Sequence, residues 1–227
     1  MRLFIFTLLS FLFFNISAQI KLGKSIGLKK CPGNYDTLQQ SLHIKQNGTE
    51  PGPKAGNAVP NFKLYGLNND SLDIALELKK GKSVFLINGS FSCPFFRHTL
   101  RFFDSIAFYH SEISFFIIYS IEAHPSFPFI CPYTNKTTVL VANNRDSVQI
   151  KQPYYYFERK NAAKLMMSRT CTSIPVFLDG PANKWIHTFA EMPATAYLIG
   201  TDGKIKYKYL NYKSQRMEII RDISPLK

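Results

Sequence analysis

Cys93 combines a nucleophilic residue type with a setting that suits it. It lies in Gly89-Ser90-Phe91-Ser92-Cys93-Pro94, after the apolar run Ser83 to Asn88. Beyond it, Phe96, Leu100, Phe103, Ile106 and Ala107 recur at helical spacing. A cysteine between a buried strand and a helix sits near backbone N–H groups that have no helical partner. Those donors and the helix dipole favour the thiolate, the form that attacks disulfides and peroxides. The expected thiol pKa is therefore below the free value of about 8.5. Ser90 and Ser92 are close enough in sequence to supply hydroxyl donors, and Pro94 can occupy the first helical position. The plain alternative is a small buried hydrophobe. No second cysteine follows within three positions, so a local dithiol is excluded. A resolving thiol would be Cys31, Cys131, Cys171 or another molecule.

Glu122 and His124 follow the apolar run Ile113 to Tyr119. Two apart in an extended segment, they point the same way. The His could move a proton to or from a nearby thiol, and the Glu could orient it or tune its pKa. Otherwise they are solvated loop residues. Hydrolysis by a serine triad has little support without Gly-x-Ser-x-Gly. The His and Cys residues form no metal-ligand spacing, so neither metal nor cofactor is expected. Asp179 and Asn183 follow a later apolar run and are expected to cap or turn the chain rather than line the site.

Positioning these groups requires a sheet with helices on it. Asn61 to Tyr65 alternates as a strand, and Leu72 to Leu78 suits a short helix. Ser83 to Asn88 and Ile113 to Tyr119 are continuously apolar, as strands covered on both faces are. With the helix from Phe95 to about His110 between them, they make a βαβ unit with parallel strands. His124 to Gln152 is rich in Pro and Asn and reads as an insertion. A helix over Tyr154 to Ser168 and a strand over Ile174 to Asp179 follow. Ala194 to Ile199 and Lys204 to Tyr209 flank Thr201-Asp202-Gly203, a hairpin signal. Ser214 to Ile223 closes the chain as a helix.

The chain has 227 residues, 45% of them hydrophobic and 15% aromatic, enough for one buried core. Four cysteines exclude a disulfide-dense scaffold. Leu3 to Phe14 is apolar behind Arg2 and ends in Ser17-Ala18, the pattern of an export signal cleaved after Ala18. Being shorter than the roughly 20 residues a span needs, it leaves no transmembrane segment in the mature chain. The expected organisation is a signal over 1–18, a basic extended leader over 19–55 and one domain over 56–227. The location would be periplasmic or secreted. A formal net charge of +13 admits an acidic surface partner. Nucleic acid is not expected, because the lysines are dispersed and no binding motif occurs.

Asn88-Gly89-Ser90-Phe91-Ser92-Cys93-Pro94-Phe95-Phe96, followed by Ile118-Tyr119-Ser120-Ile121-Glu122-Ala123-His124-Pro125, resembles the iodothyronine deiodinase family. Glu158-Arg159 with Ala162-Ala163, Pro175 to Asp179, Asn183 and Ala190-Glu191-Met192-Pro193 extend the resemblance over about residues 56 to 215. It implies a thioredoxin-like, peroxiredoxin-related α/β fold: a central mixed sheet flanked by helices, with an insertion after the second strand of the βαβ unit. Cys93 falls where animal members carry their catalytic selenocysteine, and Glu122 and His124 match the family's catalytic Glu and His. Pro193 matches a proline that in thioredoxin-like folds is usually cis and faces the thiol. Cys replaces selenocysteine here, Phe91 replaces a family cysteine, and Phe127-Pro128-Phe129 stands where Asp-Gly-Trp is expected.

These readings lead to an exported thiol oxidoreductase. Its Cys93 thiolate would attack a disulfide, peroxide or similar small electrophile, and an external thiol would serve as reductant. Glu122 and His124 would tune or shuttle protons, Ser90 and Ser92 would donate hydrogen bonds, and Pro193 would shape the opposite wall. Exchange is favoured over peroxidase action, because only Ser90 meets the Pro-x-x-x-Thr-x-x-Cys pattern. The alternatives are a non-catalytic binding module on the same fold and a reductive dehalogenase with Cys in place of selenocysteine.

Overall fold

The computed structural model describes residues 20–42, 52–68, 70–137, 140–189 and 194–226. The expected signal segment therefore lies outside the described residues. Among them, seven strands and six α-helices follow in order: β1 Lys63–Gly66, β2 Ser71–Asp73, α1 Ile74–Leu78, β3 Ser83–Gly89, α2 Pro94–Tyr109, β4 Ile113–Tyr119, α3 Val141–Arg145, α4 Tyr156–Thr170, β5 Val176–Leu178, α5 Lys184–Phe189, β6 Ala196–Ile199, β7 Ile205–Tyr209 and α6 Arg216–Ile223. The strands form one mixed sheet in the order β2-β1-β5-β4-β3-β6-β7. β3, β4 and β5 are mutually parallel, while β1, β6 and β7 pair antiparallel. This is the thioredoxin-like α/β arrangement the motifs imply.

Two-sided burial explains the continuous apolar strands. Side chains alternate across a strand. Phe85, Ile87, Phe115, Ile117 and Tyr119 meet the layer holding Phe96, Leu100 and Phe103 of α2, Ala163 and Met166 of α4, and Ile219 of α6. Val84, Leu86, Phe116 and Ile118 face the other layer, where Ile74 of α1 and Trp185, Ile186 and Phe189 of α5 pack. Each such fully buried side chain contributes on the order of 2 kcal/mol.

Two elements differ from expectation. Ser71 to Leu78 splits into β2 and α1, because Asp73 accepts from Ala75 and Leu76 N–H and starts the helix there. α5 has no counterpart in the sequence reading. At six residues it is too short to show a period, and buried Asp179 organises its start. The Asp179 carboxylate accepts from Gly180 N–H at 2.8 Å, Trp185 N–H at 3.1 Å and Ile186 N–H at 3.0 Å. The cap expected of Asp179 thus reaches across the Pro181-Ala182-Asn183 turn. Replacing Asp179 with Ala strands three amides and should cost about 2–3 kcal/mol in chemical denaturation. A loss under about 0.5 kcal/mol would mean that the cap contributes no more than an ordinary surface contact.

Residues 20–42 run along the strands and helices that follow them. Ile26 and Leu28 N–H donate to the carbonyls of Asn61 and Lys63, and Leu38 N–H donates to Tyr154 O. Leu38 and Leu42 are buried. Among the described residues, no helix is long and apolar enough to cross a membrane.

Candidate functional site

Strand register brings the chemistry together. In the parallel pair β3–β4, Gly89 lies opposite Tyr119, and Tyr119 lies opposite Leu178 of β5. Three strands therefore end level with one another. The segments bearing Cys93, Glu122 and Asp179 leave the same sheet edge, where parallel sheets place their sites. Gly89 is required there, because a Cβ would come within 2.2–2.6 Å of the Phe96 ring. That close approach seats the first turn of α2 on the end of β3.

Cys93 is the N-cap residue of α2, with Pro94 at the helix start. The Phe95 and Phe96 amides lie close enough to favour the thiolate, though they make no capping hydrogen bond. Burial is the stronger influence, since Cys93 is only 1% exposed. It pushes the thiol up, against the pull of those two amides and of Arg97; Glu122 adds a smaller push upward. This corrects the expectation of a depressed pKa: helix-start donors were visible in the sequence, but desolvation was not.

The loop before Cys93 is stitched to the segment after β4. Ser92 N–H donates to Glu122 Oε2 at 2.9 Å, Ala123 N–H to Ser90 Oγ at 3.0 Å and His124 N–H to Ser92 Oγ at 3.0 Å. The Ser90 and Ser92 hydroxyl oxygens thus accept from the Ala123 and His124 amides and bridge two loops. Glu122 is fully buried and takes a hydrogen bond from the Tyr119 hydroxyl, which itself accepts from Phe91 N–H at 3.2 Å. Gln152 brackets the Glu122 backbone, accepting from its N–H at 3.1 Å and donating to its carbonyl at 3.2 Å. Burial pushes the Glu122 carboxyl up, opposed by the Ser92 and Tyr119 donors and by Arg159.

His124 is half-buried, and its Nδ1 has no hydrogen-bond partner among the described residues. Burial first, and Arg97 second, lower its pKa, so the neutral ring is favoured. It faces a cavity of about 150 Å3 bordered by Pro125, Leu140 and Asn143. Pro193 lies outside the described residues. Cys31 and Cys171 are exposed, Cys131 is buried, and all four cysteines are free thiols. No metal-binding group of His, Cys, Asp or Glu occurs among the described residues.

Four further residues complete the site. Arg97, one turn beyond Cys93, donates to Phe91 O at 2.6 Å and to Asn143 Oδ1 at 3.0 Å, and pairs with Asp146 at 2.7 Å. Its position four after Cys93 on a helix was a signal available in the sequence. Tyr119 ends the strand that leads to Glu122, so it was within reach as well. Gln152 lies thirty residues from Glu122, and nothing local points to it. Tyr133, its hydroxyl held well above the ordinary range by burial and then by the Cys93 and Cys131 sulfurs, was equally hidden.

The sheet order and a cysteine at the start of the helix after β3 define a thioredoxin-like protein. Solved structures agree on the fold. A candidate protein disulfide isomerase from Bacteroides thetaiotaomicron aligns at 16% identity over 78% of this chain and 94% of its own, with a TM-score of 0.54. Mycobacterium tuberculosis DsbF, in mixed oxidised and reduced forms, aligns at 12% identity over 74% and 96%, with a TM-score of 0.50. The C-terminal domain of a candidate thiol-disulfide oxidoreductase from Bacteroides thetaiotaomicron gives 13%, 76%, 97% and 0.50. A comparison with curated proteins gives no match. The iodothyronine deiodinase family model matches residues 34–218. The chain belongs to the iodothyronine deiodinase family.

Proposed function

We propose that this chain is a gated thiol oxidoreductase, exported behind a signal over residues 1–18, with a leader over 19–55 and the catalytic domain over 56–227. The observation that carries the reading is the buried carboxylate of Glu122, bonded to the Ser92 amide one residue before Cys93. A structural loop has little need of a fully buried acid, and perturbed acids cluster at reactive sites. Burial is the largest influence holding the Cys93 thiol up, while the Phe95 and Phe96 amides and Arg97 pull the other way. Lifting the loop as substrate arrives would remove the first and keep the others, releasing a thiolate where it is used.

In the reaction, Cys93 loses its proton, with His124 as the acceptor. Its sulfur then attacks a disulfide, forming a mixed disulfide and expelling the second half as a thiolate that takes a proton. An external thiolate next attacks the substrate sulfur of that mixed disulfide and returns Cys93 as thiolate. One disulfide is reduced and one is formed. The family's dehalogenation chemistry would use the same sulfur.

A second reading has its own support, because a Cys93 that is 1% exposed also suits a non-catalytic binding module. Alkylation against pH separates the two. Cys31 and Cys171 should label quickly near pH 8, while Cys93 labels slowly and accelerates above the ordinary thiol range of about 8.5. A disulfide substrate bound at the loop should speed Cys93 labelling at constant pH. If Cys93 stays inert across pH with and without disulfide, the binding module is the correct reading.

A further inference from the structure

We propose an oxyanion-binding site at the α2–α4 junction that selects an anionic thiol, one bearing a carboxylate or sulfonate, as the reductant of Cys93. The inference rests on the thiol oxidoreductase reading above. A cavity of about 410 Å3 opens between these helices, lined by Phe91, Arg97, His98, Arg101, Asp146 and Arg169. Phe91 belongs to the loop that carries Cys93. A second cavity of about 380 Å3 shares Phe91, Val148 and Arg169 with the first and reaches Asn144 and Gln149. Those last two also border the cavity at His124. Shared walls thus link the imidazole to a cluster of guanidinium groups.

The charge balance of the first cavity leaves cations over. Its one acid, Asp146, is already held by Arg97 Nη2 at 2.7 Å, His98 Nε2 at 2.7 Å and Arg145 Nε at 3.0 Å. Together they keep its carboxyl well below the usual carboxylate range. Among the described residues, the Arg169 guanidinium donates only to the Asp146 main-chain carbonyl, at 3.2 Å. Arg101 and Arg169 are exposed, and among the described residues no carboxylate lies within ion-pair distance of either guanidinium. Asp104, three positions from Arg101 on α2, is turned toward Thr172 and Ser173. Two forked donors from different helices, beside an apolar floor of Phe91 and Val148, match a planar oxyanion on a short apolar stem. The bound thiolate attacks the substrate sulfur of the Cys93 mixed disulfide. The bond to Cys93 breaks with its electron pair on Cys93 sulfur, and the reductant leaves joined to the substrate fragment.

The test uses the whole protein loaded at Cys93 with hydroxyethyl disulfide. Reduction of the mixed disulfide by 2-mercaptoethanesulfonate, 2-mercaptoethanol and cysteamine is followed by mass spectrometry. At low salt, the sulfonate thiol should react about tenfold faster per thiolate than cysteamine, and added salt should shrink that ratio. In the Arg101→Gln/Arg169→Gln double variant, the ratio should fall to within about twofold. Equal rates in the parent protein, or a preference that survives the double substitution, overturn the anion site while leaving Cys93 exchange standing. Failure to load Cys93 at all counts against the oxidoreductase reading instead. In that event, thermal stabilisation by inorganic pyrophosphate in the parent and not in the double variant would retain the anion site and discard only its coupling to Cys93. Equal response in both would overturn the site.

Discussion

Replacing Cys93 with Ser is expected to cut exchange with a small disulfide by at least about a thousandfold, leaving a folded chain. The hydroxyl of Ser does not ionise near neutral pH and forms no S–S bond, so the covalent intermediate is lost outright. Stability should change little. Ser is slightly smaller than Cys, and its Oγ can accept from the Phe95 or Phe96 amide as an N-cap, which adds up to about 1 kcal/mol. That gain opposes the cost of burying a hydroxyl at a site that is 1% exposed. The measurement is turnover of hydroxyethyl disulfide, with thermal unfolding as the control. Turnover that survives in Cys93→Ser would transfer the chemistry to Cys31, Cys131 or Cys171 and sink the proposed mechanism.

Glu122→Ala is expected to be the most destabilising substitution in the site. It leaves the Ser92 N–H and the Tyr119 hydroxyl without an acceptor inside the protein, where each such loss costs about 1–3 kcal/mol. The net should be about 3 kcal/mol, or roughly a 10 °C fall in melting temperature for a chain of this size. Glu122→Gln keeps one oxygen for Ser92 N–H, and the Tyr119 hydroxyl can rotate to accept from the new amide. It should cost only about 1 kcal/mol while altering reactivity at Cys93.

The pH dependence gives the pair a sign. Because burial raises the Glu122 pKa, the folded chain keeps this proton to higher pH than the unfolded chain does. The contribution of Glu122 to stability is therefore full below the ordinary carboxylate value of about 4.3 and falls as pH rises toward its folded value. Over that window, the parent should lose stability relative to Glu122→Gln. A relative gain would show a depressed carboxylate and remove the argument that the site holds a perturbed acid.

Much of this was legible in the chain itself. β3 and β4 are recoverable because seven-residue runs buried on both faces have to be continuously apolar. α2 is recoverable because its buried face repeats at helical spacing over sixteen residues. α5 was not legible, since six residues held by a distant Asp179 carry no period. Cys93, Glu122 and His124 were singled out by residue type and position after a strand. Ser90 and Ser92 were singled out as well, but their Ala123 and His124 partners are on another loop, which proximity along the chain does not show.

By itself, then, the sequence determined the order of most elements, the candidate nucleophile and the two loops that meet around it. Those follow from local periodicity, turn chemistry and motif spacing, all of which act over a few residues. Only the tertiary structure decided that Gly89 and Tyr119 are level. That register puts Glu122 on the Ser92 amide and brings Gln152 and Tyr133 to the same place. It also set the direction in which the Cys93 pKa moves. Helix-start donors are local and readable, whereas desolvation depends on every atom packed over the sulfur, and here it outweighs them.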